Sequence, residues 1–162
     1  MLKWEGSARC LLIGGIGRTP LSRVYPDLAN KPTQLTAGGP LTGAVYPLRV
    51  ILRAFLIPLA KELGVAERSL YAVSVFFDEA GEYAGFENTS LLTQQQGKRI
   101  TVQGLGLKTP ILAVGDGMTD SEMKPVVTNF AAYTGFTRRK PVIERADFVV
   151  ESFAELRNLI LK

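Results

Sequence analysis

Ile111-Leu112-Ala113-Val114 runs without a break into Gly115-Asp116-Gly117, and no other stretch constrains the fold as strongly. Four apolar residues between Pro110 and Gly115 leave no polar face for water. The segment therefore suits a strand covered on both sides, as in a parallel sheet. The two glycines let the backbone turn sharply after it. Asp116 is thereby placed at the carboxyl end of a central strand, where open α/β sheets gather their ligands. A carboxylate there is short of water and needs a cation or hydrogen-bond donors. Asp120 follows in the first turn of a helix that Thr119 or Asp120 can open, where negative charge is favoured. The plain reading is a strand–turn–helix corner with Asp116 as its cap. The chemical reading is a hard metal ion with an anion beside it.

A chain of 162 residues, 46% hydrophobic and 21% charged, is long enough for one domain with a real core. It contains no histidine, which excludes Ser-His-Asp triads, histidine-held zinc and histidine general bases. Catalysis is left to carboxylates, lysine, hydroxyls or a metal. The single Cys10 excludes an internal disulfide and fits a reducing, cytoplasmic compartment. Glu5 and Gly6 interrupt any early apolar run, so the opening does not read as a signal peptide. The apolar stretch near residues 50–60 is broken by Arg53, Pro58 and Lys61, short of the ~18 apolar residues that a membrane span needs.

The net charge of +4 resides in residues 1–50, where Lys3, Arg9, Arg18, Arg23, Lys31 and Arg49 face only Glu5 and Asp27. No aromatic interleaving or tight Lys/Arg cluster accompanies them, so no nucleic-acid partner is expected. Residues 1–47 also hold five of the nine prolines and seven of the sixteen glycines. They read as an atypical basic amino-terminal segment, followed by a core over 48–162. Leu11-Leu12-Ile13 suits a short strand before Gly14-Gly15-Ile16-Gly17. Arg18-Thr19-Pro20 lacks the further glycine or Lys-Ser/Thr pair of a nucleotide loop.

Apolar spacing predicts a helix from about Leu48 to Leu63, kinked or divided at Pro58 and ended by Gly64. Leu70 to Phe77 reads as a strand, and Tyr83 to Phe86 as the returning arm of a hairpin. A helix from Gly97 to about Leu107, the strand ending at Val114 and a helix over about Thr119–Val127 follow. Phe130–Tyr133 and Phe148–Val150 are strands, and Phe153–Leu161 closes the chain as a helix capped by Ser152. Such alternation gives a parallel sheet. Lys98, just after Gly97, can face the same crevice as Asp116. A lysine offers a compact cation to a phosphate, and a carboxylate holds a magnesium ion that bridges to it.

From about residue 55 to 161 the chain resembles phosphoserine phosphatase, among the haloacid-dehalogenase-like phosphatases. The resemblance rests on Phe55-Leu56-Ile57-Pro58-Leu59-Ala60 with Leu63-Gly64-Val65, and on Tyr71-Ala72-Val73 with Phe76-Phe77. It continues in Gly81-Glu82-Tyr83-Ala84-Gly85-Phe86, Gly97-Lys98, and Gly115-Asp116-Gly117-Met118-Thr119-Asp120. Tyr133-Thr134-Gly135-Phe136, Ala146-Asp147 and Phe153-Ala154-Glu155-Leu156 complete it. It implies an α/β fold, a Rossmann-like three-layer parallel sheet with a β-hairpin insert. It also implies phosphomonoester hydrolysis of a small phosphorylated substrate such as phosphoserine, in serine biosynthesis, and leaves a homodimer open. Lys98 would neutralise the phosphoryl group and nucleophile, and Thr119 would hydrogen-bond near the phosphate. Asp116 would ligate Mg2+, and Asp120 would support the metal from behind. An aspartate attacks phosphorus in such enzymes, and water clears the aspartyl-phosphate.

That attacking aspartate belongs to an Asp-x-Asp motif after an amino-terminal strand, and no Asp-x-Asp occurs in this chain. Asp27 stands alone, and Asp78 falls in the hairpin turn. The family's serine-glycine-glycine motif is replaced by Leu52-Arg53-Ala54-Phe55, where Arg53 reads as a helix-surface residue. Leu35-Thr36-Ala37-Gly38 only faintly matches the lead-in to that motif. A truncated or mis-joined beginning fits this pattern, and turnover near background is expected. A catalytically inactive phosphatase-like binding or regulatory protein is the alternative.

Overall fold

Residues 10–13, 44–49, 53–62 and 65–160 are described by the computed structural model. The main sheet has six strands, β1 Cys10–Ile13, β2 Ala44–Arg49, β3 Tyr71–Ala72, β6 Ile111–Gly115, β7 Asn129–Tyr133 and β8 Phe148–Val150. Their order is β3-β2-β1-β6-β7-β8, and every pairing is parallel. The first of the described strands is thus interior, and the winding reverses between β1 and β6. That reversal is the switch point of a doubly wound sheet, outside whose strand ends ligands bind. A separate antiparallel hairpin pairs β4 Val75–Phe77 with β5 Tyr83–Phe86.

β6 is buried along its whole length, with Leu112, Ala113 and Val114 at 0% exposure, because both faces of the sheet are covered. Side chains alternate between the two faces. Ile111 and Ala113 join Phe130, Ala132, Val102, Met123 and Val142 in one core cluster. Leu112 and Val114 join Ala131, Tyr133, Val150, Leu156 and Ile160 in the other. The first cluster is closed by α2 Gly97–Gly104, by Met123 and by α4 Lys140–Ile143; the second is closed by α5 Phe153–Ile160. Each large side chain in these layers contributes about 1.5–3 kcal/mol. A third cluster packs Leu56 and Ala60 of α1 Arg53–Glu62 on Leu70 and Ala72.

The expected helix from Leu48 is a strand up to Arg49 and a helix only from Arg53. Its apolar spacing suited a helix, but β2 pairs on both sides, with β1 and β3, and tertiary pairing overrides local preference. Pro58 lies inside α1 without dividing it. The strand expected over Leu70–Phe77 splits into β3 and β4, which enter different sheets, because Val73 turns into the core between them. The helix expected over Thr119–Val127 is one short turn, α3 Met118–Ser121, followed by a 3-10 turn at Lys124–Val126. α4 was not foreseen, since Pro141 reads as a breaker yet suits a helix's first turn. Ser152 does cap α5, its hydroxyl accepting the Glu155 amide at 3.1 Å. Gly64 and the loop Gly14-Gly15-Ile16-Gly17 lie outside the described residues. No helix among the described residues is long and apolar enough to cross a membrane.

Candidate functional site

α2 begins at Gly97 because only a hydrogen fits there. A Cβ at that position would come closer than 3.0 Å to the backbone of Leu91 and Leu92. The close approach docks the helix on the 3-10 turn Leu91–Thr93 and carries Lys98 inward to 5% exposure. Gln96, just ahead, takes the left-handed conformation, φ 57°, which is uncommon for a residue with a side chain.

At the far end of β6 the chain turns through Asp116 and Gly117 into α3. Asp120, at 1% exposure, folds back over this turn. Its Oδ2 accepts the Gly117 amide at 3.0 Å, and the Asp120 amide donates to the Gly117 carbonyl at 3.1 Å. The same carboxylate fills the space against Gly115, where a Cβ would fall within 3.0 Å of three Asp120 atoms. Asp120 Oδ1 is ion-paired with the Lys98 ammonium.

The structure therefore brings Lys98 to the acidic loop, with Asp120 as its ion-pair partner. Asp116 is buried at 7% exposure at the switch point, and Thr119 is exposed one residue before Asp120. The sequence reading set Lys98 and Asp116 at one crevice. It missed the lysine's direct bond to Asp120, whose only sequence signal was its spacing behind Gly115. It also missed Gly97 and Gly115 as points of close approach, which a preference for turns does not announce.

Other residues weighed from sequence have structural work. The Asp78 carboxylate accepts the Ala80 and Glu82 amides at 3.0 and 2.9 Å and so builds the hairpin turn. Arg53 starts α1, pairs with Glu67 at 3.1 Å and reaches the Leu70 carbonyl at 3.3 Å. Asp27 and residues 35–38 lie outside the described residues. Asp147, on the β7–β8 side, accepts the Phe130 amide at 2.9 Å and pairs with Lys124 at 2.8 Å. Burial alone would raise its carboxyl, but the Lys124 and Phe130 hydrogen bonds, the Lys124 charge and Asn129 hold it below the ordinary value. Burial also pushes the Tyr133 hydroxyl up.

No cluster of three histidine, cysteine or carboxylate side chains near enough to share a metal occurs among the described residues. Magnesium accepts one or two carboxylates and completes its oxygen shell with water and substrate phosphate. The buried Asp116 carboxylate, at the end of β6, is of the oxygen-donor type that such an ion takes.

No protein-family model matches the chain. A chloroplastic phosphoserine phosphatase of Arabidopsis thaliana is 30% identical over 153 residues, 85% of this chain and 51% of the relative. The phosphoserine phosphatase of Drosophila melanogaster is 30% identical over 116 residues, 69% of this chain and 43% of the relative. Among solved structures, a phosphoserine phosphohydrolase-like protein from Francisella tularensis superposes with a TM-score of 0.66 at 23% identity, over 86% of this chain and 61% of its own. The chain resembles phosphoserine phosphatase, and its fold is haloacid-dehalogenase-like. It spans about half the length of the curated phosphoserine phosphatases it matches.

Proposed function

We propose that this chain carries the metal and phosphate half of a phosphoserine phosphatase-type site, and that alone it turns over phosphomonoesters at or near background. The arrangement that carries this reading is the buried ammonium of Lys98, fixed by Asp120 at the mouth of the acidic loop. In the proposed roles, Lys98 offers positive charge to a phosphoryl oxygen while Asp120 holds the amine in place. Thr119, exposed on α3, would donate a hydroxyl to the same phosphate. Asp116 would hold Mg2+, which would supply charge neutralisation to the phosphate. Similarity to phosphoserine phosphatases supports phosphoserine as the substrate to try, and a place in serine biosynthesis goes with that choice.

The attacking group is what the sequence withholds. β1 runs beside β6, with Ile13 opposite Val114. The sequence after Ile13 reads Gly14-Gly15-Ile16-Gly17 and contains no carboxylate. Between the end of β2 at Arg49 and the start of α1 at Arg53, the chain reads Val50-Ile51-Leu52, with no serine or glycine. Lys98 and Thr119 can bind and polarise a phosphate, and Asp116 in its proposed role is committed to the metal, so none of the three replaces the attacking carboxylate. This observation favours the second reading, a binding or regulatory protein of phosphatase descent.

Phosphate release from phosphoserine with Mg2+ tests the proposal. Background rates are expected, with activity gained when an amino-terminal strand bearing Asp-x-Asp-x-Thr and the serine-glycine-glycine motif are grafted in. Magnesium-dependent turnover by the unaltered chain, lost in Lys98→Ala, would refute the missing-nucleophile argument. Calorimetry should find weak Mg2+ binding, weaker still in Asp116→Asn; equal affinity in the two would remove Asp116 from the metal site.

A further inference from the structure

A groove of about 400 Å³ opens on the outer side of α2 and α3, lined among the described residues by Gln96, Arg99, Ser121, Glu122, Lys124 and Arg145, with Pro125 at its rim. Its volume lies within the ~300–1,000 Å³ of small-ligand sites. Lys98, Asp116, Thr119 and Asp120 do not line it. We propose that this groove is a second, separate binding site for a phosphate dianion, free or esterified.

The lining carries three cations and one carboxylate, Glu122. Lys124 is a fixed charge, its amine donating to the Arg145 carbonyl at 2.7 Å and to Asp147 at 2.8 Å. The two guanidiniums are differently placed. Arg99 donates to Gln96 Oε1 at 3.4 Å, and Arg145 donates to Ser121 Oγ at 3.4 Å. Both contacts are at the long limit for a hydrogen bond. Neither guanidinium has an ion-pair partner among the described residues. A guanidinium has five N–H donors in a planar fork, so among the described residues most of this donor capacity is unspent and of the shape that grips phosphate oxygens.

The lining is also held in position. Ser121 is buried at 3% exposure, and its hydroxyl donates to the Met118 carbonyl at 2.7 Å, which turns its lone pairs toward Arg145. Gln96 sits at the left-handed turn that starts α2, a strained conformation of the kind found at ligand sites. Arg99 follows Lys98 in sequence and Ser121 follows Asp120, so the groove adjoins the two helices that build the inner ion pair without being lined by that pair.

Calorimetric titration of the full chain with inorganic phosphate, and separately with phosphoserine, tests the assignment. Saturable phosphate binding is expected, weakened by salt and retained in Lys98→Met. In Arg99→Gln/Arg145→Gln it should weaken about ten-fold or more, the range for losing charge-assisted hydrogen bonds. Glu122→Gln should tighten it, by removing the one carboxylate in the lining. Tighter binding of phosphoserine that follows the same variants identifies the ester as the ligand, and equal binding identifies the free ion. Wild-type affinity in the double arginine variant overturns the proposal, as does loss of all saturable binding in Lys98→Met while that variant remains folded. Should Lys98→Met not fold, an unchanged affinity in Glu122→Gln overturns it instead.

Discussion

Replacing Lys98 by methionine isolates what the buried ion pair does for the fold. The lysine is 5% exposed and its partner Asp120 1% exposed, so neither charge can turn to solvent. In Lys98→Met the Asp120 carboxylate keeps, among the described residues, the Gly117 amide as its hydrogen-bond donor. Its atoms already fill the space over Gly115, so no water can enter there without moving the β6 turn. Removing one partner from a dry pair costs about 3–5 kcal/mol. In a chain of this size that lowers Tm by about 6–20 °C. Lys98→Met/Asp120→Asn takes away both charges, and the asparagine amide oxygen can still accept the Gly117 amide. The double variant should regain at least about 2 kcal/mol over Lys98→Met, measured by urea unfolding beside both single variants. A cost under about 1 kcal/mol for Lys98→Met, or a double variant no better than the worse single one, would refute the reasoning.

Gly115→Ala forces a methyl group into the Asp120 carboxylate and should cost about 1–3 kcal/mol or more in chemical denaturation; an unchanged midpoint would contradict the packing. Phe130→Ala, at a fully buried position between β6 and β8, should cost about 3–5 kcal/mol in the same assay. The Asp147 carboxyl is held below its ordinary value of 3.8, so its contribution to stability is present above that value and is lost as pH falls through the lower, folded one. Asp147→Asn should flatten that acid limb of a stability–pH profile while lowering stability at neutral pH, and a limb of unchanged slope would remove Asp147 as its source.

Strand β6 was legible because a run buried on both sides has no competing pattern, and Ile111–Val114 admits no amphipathic helix. The hairpin and α5 were legible for similar reasons, one through its aromatic arms and turn, the other through Ser152 and its periodicity. β2 was not. Its residues share apolar spacing with the helix that follows, and only β1 and β3 on either side decide the matter. The site was half legible. Lys98 and Asp116 stand in recognisable motifs, but the bond that fixes Lys98 comes from a side chain 22 residues away, brought in over a glycine. Sequence spacing carries no record of such a close approach. The Arg99–Arg145 groove was invisible for the same reason, since nothing marks its arginines apart from their neighbours until α2, α3 and α4 are packed.

The interior place of the first strand has a consequence for how the chain is made. β1 lies between β2 and β6, and its register with β6 joins Cys10 to Ile111 across roughly 100 residues. At a synthesis rate of ~5–20 residues per second, about 5–20 s pass between the appearance of Cys10 and that of its partner. Throughout that interval one flank of β1 is an open edge, with unpaired amides and carbonyls that another chain can match. The neighbourhoods of β6, β7 and β8 are by contrast sequential, and they close as soon as they emerge. Nascent chains stopped short of Ile111 should therefore associate with one another far more readily than chains that extend to Ile160, and the newborn protein has most need of a chaperone before Ile111–Gly115 is translated.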